Sequence, residues 1–352
     1  MLIGKSVSFR SQLVSNTLDL IKEINLNCAH TSQLVAGIVS SLAAYTEEGV
    51  PMTPTVFICN SISTLLQRAG TGEHVPLSEE IDIGGAESKI LKAAAPLCKE
   101  NWKIYIERSS DGARCKFGVF CGSSDPSSLT VDEVLLDGTP DGFPIVRIAQ
   151  SAINKVEVRT NAGKGVEFRF NDDEDIHSLD SQKQVKNLAH LISSKVSSHS
   201  DSFTGFVERV LSSAIKQSHG TLISVISSDK DLPSALQDVV KLSPSLDLFT
   251  RFKLHQDEGK TAISVSRLQA ASELVSGFIC SDGITIFNTS GCILGYRAFI
   301  RSKEDAPSSS GGARTRAFNA MQLLVGGDLD AAFFRSQDGK TELHQCTGAI
   351  SQ

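Results

Sequence analysis

The sequence has no apolar run approaching the ~18 residues from which a membrane-spanning helix is read, so no transmembrane segment is expected. Its opening, Met1 to Val14, alternates polar and apolar side chains and lacks the apolar core of a secretory leader. No CxxC pair occurs. The eight cysteines, Cys28, Cys59, Cys98, Cys115, Cys121, Cys280, Cys292 and Cys346, are scattered, which argues against zinc and fits free thiols in a reducing cytoplasm. There is no basic excess either. The net charge is −6, and the short run from Arg297 to Arg301 is no basic patch, so nucleic acid is not an expected partner. The sequence shows no P-loop or Rossmann fingerprint, no internal repeat and no long low-complexity segment. Lys164, between Gly163 and Gly165, reads as a hairpin turn, and Trp102, the one tryptophan, as a core residue opening a strand.

What is present suggests two domains. The first, 1–175, reads as α+β, with helices followed by an antiparallel sheet. Leu13, Leu18, Ile21 and Ile24 fit one helical stripe, and Leu34, Ile38, Leu42 and Tyr45 a second. An apolar run and a short helix are expected over 54–68, and a further helix over 83–98. From Trp102 the period becomes two, with one hairpin turning at Ser109–Gly112 and another around Asn161–Gly165. Asp111-Gly112-Ala113 is read as turn chemistry.

The acidic stretch 171–182 marks a boundary, and 176–202 reads as a linker holding a connecting helix over about 183–197. The second domain, 203–352, reads as mixed α/β, a central mixed sheet flanked by helices. Its expected elements are a helix from Phe203 ended by His219-Gly220, a doubly buried strand 221–226, and a helix from Ser234. A strand 261–265 and a helix 266–277 follow, then strands 283–287 and 292–300, a helix 313–325 and a hairpin 330–345 turning at Gln337–Gly339.

Three places in this half carry chemistry. Asp282-Gly283 lies at a helix-to-strand junction, where a carboxylate can meet a metal ion and a glycine lets backbone come close to a ligand. Gly312-Ala313-Arg314-Thr315-Arg316 opens a helix. Free N–H groups there point towards an anion, two guanidinium groups can fork phosphate oxygens, and the cations, disfavoured at the positive end of a helix, need such an anion to offset that cost. Ser336, at the end of a strand in the last hairpin, can line a site.

In this order the three resemble the diadenylate cyclase (DAC) domain, over residues 203–345. The family shows Asp-Gly-Ala, two strands, a loop, a Gly-Thr-Arg-His-Arg motif opening a helix, then a hairpin with Ser-Glu near its turn. Here Asp282, Gly283, Gly312, Arg314, Arg316 and Ser336 match. Ile284, Ala313, Thr315 and Gln337 depart, the last from a metal-binding glutamate. The resemblance implies ATP, a related nucleotide or a cyclic dinucleotide as ligand, with magnesium or manganese on Asp282. It implies a site formed by Gly283, Gly312, Ala313, Arg314, Thr315, Arg316 and Ser336. The eroded motif is similar to the DACNV branch, which comprises predicted nucleotide sensors of bacterial conflict and antiviral systems. A sensor coupled to a protein effector is therefore expected, with a homo-oligomer left open. The alternatives are an active cyclase making cyclic di-AMP from two ATP, in which Asp282, Arg314 and Arg316 would be catalytic, and a scaffold that binds nothing.

Overall fold

A computed structural model describes residues 9–26, 28–99, 101–136, 142–152, 154–170, 178–300, 312–337 and 339–346. The fold is mixed α/β, and among the described residues no helix is long and apolar enough to cross a membrane. The chain divides into two compact units, Met1–Ser123 with Leu129–Glu174, and Ser124–Ser128 with Asp175–Gln352.

The first unit is built on a sheet in the order 165–169, 155–160, 146–152, 56–59, 102–108, 114–121, 74–76, with 81–82 also paired to 114–121. Helices Phe9–Lys22, Ala29–Leu42 and Glu87–Ala94 cover one face, over Val56, Ile58, Ile104, Ile106 and Phe117. Helices Ile62–Ala69 and Val131–Leu135 cover the other, over Phe57, Cys59, Tyr105 and Phe120. The alternation follows from the two-residue period of a strand. The sheet is not antiparallel as expected. The apolar run Val56–Cys59, placed among the helices by sequence, is a fully buried strand running parallel to Trp102–Arg108. A strand buried on both faces shows no alternation, so periodicity alone does not identify it.

In the second unit the order is 236–237, 292–300, 284–288, 221–226, 331–335, 341–345, with 240–247 also paired to 292–300. Strand Thr221–Ile226 is buried throughout and runs parallel to Ile284–Asn288 and antiparallel to Ala331–Arg335. Helices Ser178–Ile192, Ser200–Gln217, Leu248–Asp257 and Ala262–Cys280 pack over Ile223, Val225, Phe287 and Phe333. Helix Ala313–Gln322 packs over Leu222, Ile226, Ile286 and Phe334 on the opposite face.

Several expectations are corrected here. Helix Ser178–Ile192 is no linker, because Val185, Leu188, Leu191 and Ile192 are buried in the second core. The rest of the proposed boundary, 171–177, lies outside the described residues. The segment after Ser234 forms two edge strands, Leu236–Gln237 and Val240–Asp247, rather than a helix; Pro233 and Pro244 suit such an edge better than a helix interior. Residues 261–265 are not a strand. The Thr261 hydroxyl accepts from Ser264 N–H at 3.3 Å and starts a helix that continues to Cys280.

The largest correction concerns repetition. In each unit two helices lead into the central strand, and the chain returns through two further helices to a parallel neighbour (102–108; 284–288). That neighbour turns back into an antiparallel strand (114–121; 292–300), which also receives two short strands made earlier (74–76 and 81–82; 236–237 and 240–247). One helix crosses to the central strand's other flank (146–152; 331–335), and a hairpin follows (155–160; 341–345). The chain therefore contains one topology twice, although its sequence shows no repeat.

Candidate functional site

The candidate residues converge at one end of the inner strands of the second sheet because the connections there are short. His219-Gly220 leads into strand 221–226, Asp282-Gly283 into 284–288, and strand 331–335 leaves through Ser336. Helix Ala313–Gln322 opens beside them. Arg314 links these pieces. Its guanidinium donates to the His219 carbonyl at 3.3 Å and lies 4.0 Å from the Asp282 carboxylate. The Asp282 side chain is 74% exposed and that of Arg314 42%, so as an ion pair the contact is worth ~0–1 kcal/mol. Both groups face solvent and remain open to a ligand.

Gly220 adopts φ +114°, and a β-carbon there would stand 3.2 Å from Arg314 and 3.4 Å from the Gln337 nitrogen. The nearest atom is the Arg335 carbonyl oxygen at 3.0 Å, so the glycine makes room first for the neighbouring strand's backbone, with Arg314 against the same spot. Gly283 meets backbone as well. Its φ is +94°, and a β-carbon would stand 2.8 Å from Arg297 Cα and 2.9 Å from Arg297 C. The close approach that sequence assigned to a ligand is made by the neighbouring strand, at a bulge where Arg297 itself has φ +56°.

The remaining residues do not all join this cluster. Arg316 is exposed and stands about 200° around the helix axis from Arg314, since positions two apart do not share a face. The expected fork of two guanidinium groups on one phosphate is therefore not preformed. Gly312 caps the helix without a side-chain bond, Ala313 is exposed and Thr315 half-buried. The Ser336 hydroxyl is engaged by its own turn, accepting from Lys340 N–H at 3.0 Å, which leaves its proton and one lone pair for a ligand. No family model matches the chain, and no curated protein matches it.

For magnesium or manganese the fit is partial. Asp282 is a single exposed carboxylate, and among the described residues no group of three acidic, histidine or cysteine side chains could hold an ion. One carboxylate suits a hard cation that arrives already bound to phosphates.

Two arrangements escaped the sequence reading. The Arg335 guanidinium reaches the Ile215 carbonyl and donates to the Ser218 carbonyl at 2.8 Å, closing the C-terminal end of helix Ser200–Gln217. Burial pushes its pKa below the usual arginine value. The two sides lie more than a hundred residues apart, so no local pattern marks them. The second arrangement centres on His255, whose side chain is fully buried. Nε2 lies 3.1 Å from Asp125 and 3.1 Å from Ser127 Oγ, and Nδ1 lies 2.8 Å from Ser264 Oγ. The order Asp–His–Ser is that of a nucleophile triad, but Ser264 is 3% exposed and its hydroxyl donates to the Thr261 carbonyl at 3.0 Å. No substrate carbonyl can reach it, so the chain of bonds is structural. Burial raises the Asp125 pKa, and hydrogen bonds from Ser127 and Ser128 together with His255 outweigh it, leaving a net lowering.

Proposed function

We propose that the second unit is a nucleotide-sensing domain with a degenerate diadenylate-cyclase-like site. In this reading the chain has two domains, and the first passes the occupancy of the second to a protein effector in bacterial defence or signalling within the cytoplasm. The observation that carries the proposal is the meeting of Asp282 and Arg314, from motifs 32 residues apart in sequence, at 4.0 Å beside the ends of the inner strands. They are the two charged groups that a polyphosphate with its divalent ion needs. The element order supports it too: Asp282-Gly283, two strands, the Gly312–Arg316 helix start and the hairpin beyond Ser336. Arg314 would hold a phosphate, strengthened by the open N–H groups of the helix start. Asp282 would take the ion that travels with the nucleotide. Arg316 would touch only a ligand long enough to pass around the helix.

Nothing in the arrangement supplies a second fixed charge to stabilise a reacting phosphate, and removing one such group commonly costs ~10²–10³ in rate. Binding is therefore favoured over turnover. Calorimetry of the full chain against ATP, ADP and cyclic di-AMP with magnesium or manganese tests the reading. At least one should bind, and Arg314→Ala should weaken it by about ten- to hundredfold, the worth of a hydrogen bond to a charged group. Failure of every ligand would leave a scaffold. Formation of cyclic di-AMP that depends on Asp282 would make the protein a cyclase.

A further inference from the structure

Arg108, at the end of strand Trp102–Arg108, is only 9% exposed. Its NH1 donates to the Leu26 carbonyl at 3.3 Å and to Thr31 Oγ1 at 3.1 Å, while its buried Nε has no hydrogen-bond partner. Among the described residues it forms no ion pair. The Asp111 carboxylate is turned into its own loop instead, accepting from Ser109 Oγ at 2.6 Å and from Ala113 N–H at 3.0 Å. Asp111 acts on Arg108 only through space, and a buried cation hydrogen-bonded to neutral groups alone is costly.

Its position makes the imbalance larger. Thr31 lies in the first turn of helix Ala29–Leu42, whose N-cap is Cys28. That helix has no acidic residue in its first turn and no side-chain cap. Ser32 N–H bonds back to the Cys28 carbonyl, whereas the N–H groups of Ala29, His30 and Thr31 have no acceptor among the described residues. The guanidinium therefore sits at the positive end of a helix dipole, where a cation is disfavoured. The ground in front of Gly112 is shared by both groups. A β-carbon there would stand 2.9 Å from Cys28 Sγ and 3.5 Å from Arg108 NH2. Ala29 and His30 are exposed and Cys28 is half-buried, so the first two of these N–H groups lie at the surface, while Thr31 is fully buried.

We propose that the start of helix Ala29–Leu42 and Arg108 form a binding site for a small tetrahedral oxyanion, a phosphate group, separate from the Asp282–Arg314 site. The ligand would accept from the exposed N–H groups of Ala29 and His30 and from Arg108 NH2, supplying the negative charge that helix start and guanidinium lack. The chemistry is shared by inorganic phosphate and by the phosphate of a nucleoside monophosphate. Whether the base adds affinity separates the two.

Amide hydrogen exchange of the full chain reads the site directly. In inorganic phosphate at ten times its dissociation constant, exchange of the amides of 29 and 30 should slow about tenfold against chloride of equal ionic strength. AMP is run in parallel, and a response at lower concentration than phosphate assigns the site to a nucleotide. Arg108→Gln risks unfolding because Arg108 also holds Leu26, so Cys28→Asp is the deciding variant. A carboxylate at the N-cap supplies the missing charge internally. This variant should protect the same amides without phosphate and gain nothing from adding it. Arg314→Ala should respond as the unaltered protein does. Equal exchange in phosphate and chloride, a full phosphate response in Cys28→Asp, or loss of the response in Arg314→Ala would each overturn the proposal.

Discussion

Replacing Gly283 by alanine separates two reasons for a glycine. In the first, glycine is needed because a ligand approaches; in the second, because the protein's own backbone does. The geometry favours the second. Two costs add in Gly283→Ala. Holding a non-glycine residue at φ +94° costs about 1–2 kcal/mol. The new methyl would also meet Arg297 Cα at 2.8 Å, Arg297 C at 2.9 Å and Ala298 O at 3.0 Å. These are backbone atoms of a strand paired on both sides, with 284–288 and with 240–247, so they cannot swing away as a side chain would. Overpacking of this kind costs about 1–3 kcal/mol. The smaller entropy of an unfolded alanine returns about 0.4–1 kcal/mol. The net destabilisation is then about 2–4 kcal/mol, or roughly 5–15 °C in melting temperature for a unit of this size. Gly259→Ala is the control, since Gly259 has φ +69° in the same unit with nothing within 4 Å of its β-carbon position. It should lose only the conformational part. Urea denaturation of both variants gives the comparison, with the slope unchanged. Equal midpoints would refute the steric argument. A stable Gly283→Ala that no longer binds nucleotide would restore the ligand explanation.

Two further outcomes follow from buried polar groups. Asp125 has a folded pKa below its unfolded value of about 3.9, so its contribution is present above that pH and disappears as pH falls through the folded value. Asp125→Asn should therefore lower the stability measured in urea at pH 7 by about 1–3 kcal/mol and match the unaltered protein once the carboxyl is protonated; an unvarying gap at every pH would refute this. Arg335→Met should destabilise by about 1–3 kcal/mol through the carbonyls it leaves open at Ile215 and Ser218, with Arg335→Lys recovering part, and an unchanged midpoint would show that the cap is idle.

The elements that sequence revealed are those whose environment is set by their own period or caps. The stripe from Phe203 to Ile215 became helix Ser200–Gln217, and the alternation of Val156, Val158, Val166 and Phe168 became a hairpin. The failures lie where a partner distant in sequence decides. Val240–Asp247 is a strand because 292–300 offers it an edge, and Val56–Cys59 joins a parallel pair whose partner begins more than forty residues later. The candidate site divides the same way. The meeting of Asp282 with Arg314 agrees with the motif order, while the true demand on Gly283 comes from Arg297, which no local pattern could announce.

The repeated topology explains how one half can keep polar, open strand ends while the other does not. A fold is set by which strands bury their faces, and that requires apolar residues at alternating positions rather than any particular residue, so two copies can share an architecture with no visible sequence likeness. What differs is the charge placed on matched elements. The helix leading to the central strand's antiparallel neighbour carries Arg314 at its second position in the second unit, solvent-facing and next to Asp282. In the first unit the matching helix, Val131–Leu135, carries Asp132 there. Asp132 is held at 2.7 Å by Arg147, which also pairs with Glu157 at 2.7 Å. An acidic position already neutralised by protein has no use for a phosphate. The first unit therefore lacks the exposed Asp–Arg pair on which the proposed nucleotide site of the second rests, and its unbalanced charge lies elsewhere, at Arg108 under the start of helix Ala29–Leu42.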